Sequence, residues 1–352
     1  MQNAIIQILI PATIAFIIGV LITPIVTYYL YKHHAWKKEG GKKAIGGKDA
    51  VEFNKLKAEG ETKTPRMGGI IIWGSVLLTV LFFSIIEYLF PHTKLAQLNF
   101  FSREQTWIPL STLIIGAGIG FINDFYDIVH NGKGISLGKR ISIISLLAGL
   151  IGSWFYFKLG VTHIGIPFDG SLYVGIFIIP FFILLTNALY ASGVIDGIDG
   201  LSGGVFASIF TAYTGIAIIQ SQFEIAALCA TISGAIMAFT WFNIPPARFW
   251  MTETGSMALT LTLSVIVLMT DDLGSGHGIS LLLIVGLPLI ATVASNILQI
   301  GYRQATGKKL FKIAPLHHHF EAIGWPSYKV TMRYWIISIV CAMLGIICAV
   351  IV

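Results

Sequence analysis

The sequence predicts an all-α polytopic membrane protein of about ten transmembrane helices, on three observations. Hydrophobic residues occupy 55% of the 352 positions, charged residues 11%, and the mean hydropathy is +0.80; soluble domains carry about a quarter charged residues. Several apolar runs reach the roughly 20 residues that a helix needs to cross a bilayer. The basic residues gather on alternate connections between those runs. A transmembrane β-barrel would instead show short alternating segments, which leaves the helix as the spanning solution.

The first span, 4–31, begins without a positive charge and is too long for a signal-peptide core, so it is expected to be retained. The connection 32–66 holds ten Lys or Arg. Spans two and three, 67–90 and 107–123, lead into the polar stretch "FINDFYDIVHNGKG". Spans four and five, 141–157 and 173–191, end at "DGIDGLSGG". Spans six and seven, 201–219 and 225–242, end at "FNIPPARFW", where Pro245 and Pro246 break the helix. The eighth, 257–270, follows "TETGS", whose Thr254 and Ser256 suit a helix cap. Spans nine and ten, 279–298 and 334–352, flank a basic loop containing "APLHHHFEAIGWP".

Charge sets the orientation. Twenty of the 23 Lys and Arg fall in odd-numbered connections or at their edges; only Lys94, Arg103 and Lys158 lie on the other side. The excess of Lys and Arg in cytoplasmic loops then makes the connections near 32–66, 124–140, 192–200, 243–256 and 299–333 cytoplasmic and both termini external. The chain reads as one integral membrane domain, 1–352. Basic residues that flank a membrane imply orientation and attraction to anionic lipid or a phosphorylated substrate, not nucleic acid. Cys229, Cys341 and Cys348 sit within spans as small packing residues, without metal or disulfide spacing.

The polar residues collect at one face. Asp124 and Asp127 are three apart, on one side of a continuing helix. Carboxylates there suit Mg²⁺, which takes one or two of them plus substrate phosphates; alone, the pair could equally be a polar helix end. Asp196 and Asp199 repeat the spacing among glycines that allow close backbone approach and open a helix whose N–H groups face anions; the alternative is a solvated turn. Asn243 and Glu253 flank Trp250, a flat face for a base or an interfacial anchor. His317, His318 and His319, followed by Glu321, could donate to phosphate oxygens or shuttle protons. Ionisable groups at membrane depth usually mark function. Acids for a divalent cation, basic residues for phosphate and an aromatic for a base together describe a phosphorylated nucleotide substrate at a membrane surface.

"TPRMGG", "DGIDGLSGG", "FNIPPARFWMTETGS", "KIAPLHHHFEAIGWP" and "MRYWIIS", in this order along the chain, resemble the phospho-N-acetylmuramoyl-pentapeptide transferases, within the superfamily of polyprenyl-phosphate N-acetylhexosamine-1-phosphate transferases. The resemblance implies ten helices with a cytoplasmic active site in the cell inner membrane. It implies Mg²⁺-dependent transfer of phospho-MurNAc-pentapeptide from UDP-MurNAc-pentapeptide to undecaprenyl phosphate, giving lipid I and UMP for peptidoglycan synthesis, and it leaves room for a homodimer. It carries a metal role to Asp124 and Glu253, catalytic roles to Asp124, Glu253 and His317–His319, and substrate-binding roles to Asp196, Asp199, Asn243 and Trp250. To these our own reading adds Asp127, to position or deprotonate the lipid phosphate, and Lys133, to hold phosphate oxygens. The chain departs from the pattern in four places. Asn123 replaces the first Asp of the family's pair, Asp127 stands where many members have Lys, Glu253 replaces an Asp, and Asn187 lacks the usual Asn-X-X-Asn spacing. A sister transferase moving GlcNAc-1-phosphate and a membrane scaffold with a decayed site are the alternative readings.

Overall fold

The structure is a computed structural model that describes residues 2–41, 54, 60–102, 105–130, 132, 134–166, 170–271, 273 and 276–351; Lys133 lies outside the described residues. Apolar sequence and a bilayer's demand for internally satisfied backbone give helix almost throughout. In chain order these are α1 (Gln2–Lys32), α2 (Ile70–Leu89), α3 (Trp107–Val129), α4 (Leu137–Leu159), α5 (Ile178–Ser192), α6 (Leu201–Ile219), α7 (Phe223–Asn243) and α8 (Thr252–Met269). They are followed by α9 (Gly278–Val285), α10 (Leu287–Thr306), α11 (Leu316–Ala322) and α12 (Ser327–Ile351). Among the described residues nine helices are long and apolar enough to cross a membrane, and α9 with α10, bent by 72° at their junction, would make a tenth if the pair is one span. Pro288 in the first turn of α10 has no N–H to give to α9, which accounts for the break.

α7 and α8 form the centre, with nearly every residue of α8 buried, while α1 and α12 lie at the rim. Leu21, Leu146 and Leu184 are 67–70% exposed; such apolar surface would be a liability in water and is what a lipid-facing helix presents. α8 tolerates a hydroxyl-rich sequence in this core because Thr260, Thr262 and Ser264 donate to carbonyls three or four residues back.

Helices α3 and α8 pack through glycine. A Cβ on Gly120 would lie 2.1 Å from the Glu253 carbonyl oxygen, and one on Gly116 would lie 3.0 Å from Ala258 Cα. Gly116, Gly120 and Asp124 recur every four residues, so they share a face and the backbones meet directly, the small-xxx-small contact of membrane helices. This contact brings Asp124 to the head of α8.

Several boundaries differ from expectation. α3 continues to Val129 instead of stopping at 123, and α8 starts at Thr252 instead of 257. α10 and α12 likewise run past the apolar runs. Hydropathy ends where charges begin, but the backbone stays helical into the interface, and the connections shrink to 130–136, 244–251 and 307–326. Thr254 and Ser256 are not caps: Met251 holds the N-cap position and no side-chain cap bond is made there. A two-stranded antiparallel hairpin, β1 (His163–Gly165) with β2 (Ser171–Tyr173), lies at the end of the bundle opposite the acids, tied to α8 by the Gly165 N–H donating to Asp271 Oδ2 at 2.8 Å. Three-residue strands are too short to leave an alternating pattern in the sequence.

Candidate active site

The acids from separate segments meet at one end of the bundle, at the start of α8. The first N–H groups of a helix have no partner within it, and here two are met by carboxylates from elsewhere. The Thr252 N–H donates to Asp196 Oδ2 at 2.8 Å, and the Thr254 N–H to Asp124 Oδ2 at 2.8 Å. The Thr252 and Thr254 hydroxyls also donate to Asp124 Oδ2, both at 2.6 Å. Thr252 Oγ1 in turn accepts from the Met67 N–H at 3.0 Å.

Asp124 is fully buried, and its Oδ1 makes no hydrogen bond; Arg66 Nη2 stands 3.8 Å away. The same nitrogen is 3.1 Å from Asp127 Oδ2. Glu253, one residue into α8, pairs with Arg140 Nη1 and accepts from the Tyr190 hydroxyl at 3.4 Å. The Arg140 guanidinium lies over the Tyr190 ring, 6.0 Å from its centroid. Asp124 and Glu253 are near enough for their charges to repel, which explains the two arginines. Burial pushes the Asp196 carboxyl above its ordinary value of 3.8, against hydrogen bonds from Ser202 and Thr252 and with the Asp124 charge adding to the rise.

Trp250 is positioned, not merely anchored. Its Nε1–H donates to Asp199 Oδ1 at 3.0 Å, and the Ala247 N–H donates to Asp199 Oδ2 at 3.1 Å. The segment 65–69 runs alongside: the Trp250 N–H donates to the Pro65 carbonyl, the Gly68 N–H to the Trp250 carbonyl and the Gly69 N–H to the Met251 carbonyl. Asn243 is buried with both ends of its amide engaged, accepting from the Gly200 N–H at 2.9 Å and donating to the Phe249 carbonyl at 2.8 Å. It ties the Asp199 turn to the Trp250 segment, so a substrate contact by its side chain would have to displace one of those bonds.

Of the three histidines, two come to the site. His317 and His318 are buried, with rings 4.4 Å apart, and a Cβ on Gly197 would lie 2.6 Å and 2.7 Å from their Nε2 atoms. Glycine at 197 is what lets the Asp196 turn reach both imidazoles. Glu321 Oε2 holds His318 Nδ1 at 2.7 Å, and Ser327 donates to Glu321 Oε1 at 2.6 Å. His319 is held elsewhere, its Nδ1 accepting from the Lys312 N–H at 3.2 Å and its ring against Phe311.

Asn123 Oδ1 accepts from the Ile135 N–H at 3.1 Å and so orders the chain after α3. Asn187 bridges α5 to α4 by donating to Ser145 Oγ at 3.0 Å. Arg66, Arg140, Tyr190 and Ser202 are the partners that sequence reasoning passed over. A lone Arg at the edge of a basic loop gives no local signal, because only the fold shows which acid it meets.

Among the described residues, no three His, Cys, Asp or Glu side chains form a ready-made metal cage. The donor set still fits Mg²⁺, which needs one or two carboxylates and completes its shell from phosphate and water. Asp124 Oδ1, a buried oxygen lacking a hydrogen bond, is the atom such a cation would satisfy; Glu253 stands beside it, with its Oε1 engaged by Arg140.

Comparison with known proteins finds relatives along most of the chain. Residues 106–271 match the family model described as glycosyl transferase family 4, a range holding Asp124, Arg140, Asp196, Trp250 and Glu253. The chain is 31% identical over 345 residues to a phospho-N-acetylmuramoyl-pentapeptide-transferase of Bacillus cytotoxicus, covering 96% of each chain. It is 31% identical over 306 residues to the protein of that name in Dichelobacter nodosus, covering 80% of this chain and 79% of the other. With that of Bacillus mycoides it shares 30% over 344 residues, covering 96% of each.

Proposed function

The chain belongs to the phospho-N-acetylmuramoyl-pentapeptide-transferase family of membrane transferases, and on that premise we propose that it moves phospho-MurNAc-pentapeptide from UDP-MurNAc-pentapeptide to undecaprenyl phosphate, with Mg²⁺, at the cytoplasmic face of the inner membrane. The observation that carries this reading is the buried Asp124 carboxylate with a spare oxygen, set between the Trp250–Asp199 pair and the two arginines. The Lys and Arg excess at the same end of the bundle supports the cytoplasmic placement.

An oxygen of the lipid phosphate attacks the β-phosphorus of the donor, and the bond from that phosphorus to the bridging oxygen breaks. UMP leaves with the electron pair, and a new diphosphate, lipid I, remains in the membrane. A lipid phosphate is already largely ionised near neutral pH, so no base is needed to start the step. Asp124, with Glu253 beside it, would hold Mg²⁺, which when bound neutralises charge on the diphosphate oxygens. Trp250, fixed through Nε1 by Asp199, stacks the uracil. His317 and His318, set at the Asp196 turn, meet anionic oxygens, with Glu321 fixing the His318 ring.

The test is UMP release by the purified chain with both substrates and Mg²⁺. Wild-type protein releases UMP, and Asp124→Asn lowers release at least a hundredfold, the scale of losing an electrostatic catalytic group. Unchanged release by Asp124→Asn removes Asp124 from the reaction. UDP-GlcNAc used as the donor in place of the muramoyl nucleotide separates this reading from a GlcNAc-1-phosphate transferase.

A further inference from the structure

We propose that Arg66 is a diphosphate-binding residue, presenting its guanidinium Nε–H to an anionic oxygen while Nη2 stays on Asp127. The inference rests on the reading of the substrate as a nucleoside diphosphate derivative.

Three observations lead there. The Arg66 Nε–H is buried and makes no hydrogen bond, while Nη2 reaches Asp127 Oδ2 at 3.1 Å. A buried guanidinium donor left idle costs free energy, and an anionic oxygen is the acceptor that removes the cost most effectively. The position of the residue is fixed by the backbone. The Arg66 N–H donates to the Ala35 carbonyl at 2.7 Å, and its neighbours bond to the 250–252 segment on either side. Arg66 therefore stands beside Trp250, where a base would lie, and beside Asp124. The third observation is charge. Arg66 pairs with Asp127 and stands near Asp124, so its guanidinium offsets acids that would otherwise repel an anionic ligand.

Arg140 has a similar arrangement, Nη1 on Glu253 and a buried Nε without a hydrogen bond. Two guanidinium groups with spare donors, one paired to an acid of α3 and one to an acid of α8, suit a diphosphate better than a single phosphate.

The experiment uses the full chain in detergent and measures binding of UDP, uridine and inorganic diphosphate by calorimetry, first without Mg²⁺ and then with it. Losing one hydrogen bond to a charged group lowers affinity about tenfold or more. Arg66→Gln is expected to weaken UDP and inorganic diphosphate by that factor and to leave uridine within about twofold. Arg66→Lys keeps the charge and the Asp127 pairing but lacks the Nε–H, and is expected to show most of the same loss at an unchanged Tm. The double variant Arg66→Gln with Asp127→Asn separates a direct contact from mere neutralisation of Asp127. It stays weak if Arg66 touches the ligand, and recovery of wild-type UDP affinity overturns the proposal. Wild-type UDP affinity in Arg66→Lys overturns it too, as does failure of wild-type protein to bind either diphosphate. Diphosphate binding that depends on Arg66 in a chain that fails to bind uridine would uphold the arginine contact and sink the nucleotide reading.

Discussion

Alanine substitutions at Gly118 and Gly120 put the fold's main contact to a direct comparison. Both residues lie in α3, two positions apart, and receive the same methyl group. A Cβ at 118 meets nothing within 4 Å, whereas at 120 it lies 2.1 Å from the Glu253 carbonyl oxygen and 2.8 Å from the Thr254 nitrogen, both backbone atoms that cannot rotate away. Ordinary contact is near 3.5 Å, so α3 and α8 must part by about 1.4 Å. Asp124 is one turn further along the same face. Parting of that size takes the 2.8 Å bond from the Thr254 N–H past hydrogen-bond range and strains the two hydroxyl bonds. Losing one or two bonds to a buried carboxylate, on top of the overpacking, costs about 3 kcal/mol or more. Gly118→Ala should be neutral or stabilising by up to about 1 kcal/mol, because Ala outranks Gly in a helix. Thermal unfolding in detergent reads the difference as a fall of at least about 5 °C for Gly120→Ala alone, and UMP release falls with it because the carboxylate is displaced. Equal melting temperatures and equal turnover for the two variants would refute the claim that α3 packs backbone to backbone on α8.

Other expectations follow from single contacts. Asp196→Asn turns an amide NH₂ or a weaker acceptor toward either the Thr252 N–H or the Ser202 hydroxyl, and should lower stability by about 1–3 kcal/mol in denaturant or thermal unfolding. The folded state raises the Asp196 carboxyl above its ordinary 3.8, so it binds that proton more tightly than the unfolded chain; this group's contribution to stability is present below 3.8 and lost as pH rises through the raised value. The slope of Tm against pH across that window should therefore be less negative in Asp196→Asn than in wild type. Trp250→Ala should weaken uridine binding by about 1–3 kcal/mol, the scale of stacking on a base, and Asp199→Asn should weaken it less, both read by calorimetry. Glu321→Gln leaves His318 without its carboxylate and should cut kcat about tenfold, a fraction of the 10²–10⁴ that a positioned acid–base group contributes.

The helices were legible because a bilayer allows few alternatives: the apolar runs locate the nine spanning helices among the described residues and the bent α9–α10 pair. Their ends were not, since "TETGS" looks like loop by hydropathy and becomes the first turn of α8 only because Asp124 and Asp196 arrive to meet its N–H groups. The acids of the site were legible as expensive groups at membrane depth. Their partners were not. Arg66 looks like one of ten basic residues in a loop until it meets Asp127, and Gly120 looks like any membrane glycine until the Glu253 carbonyl is found against it. The histidine run gave candidates without saying which reach the site: His317 and His318 keep their rings together at Gly197, while His319 is taken by its own loop.

The use of the α8 terminus decides how an anionic substrate can be held. A helix start is a ready anion site, and a diphosphate would ordinarily be expected to take the N–H groups of residues 252 and 254. Both are already bonded to the protein's own carboxylates, Asp196 and Asp124. A phosphate oxygen that displaced them would strip a backbone donor from each of two buried acids, a loss that offsets the new bonds. On the proposed function, recognition of the diphosphate would fall to side-chain cations and to a metal on Asp124, giving Arg66 and Arg140 more weight than the helix dipole. It also means that the residues that hold α3 on α8 are the residues that would face the substrate, so Asp124→Asn, which weakens the acceptor of three hydrogen bonds, should lose Tm as well as turnover.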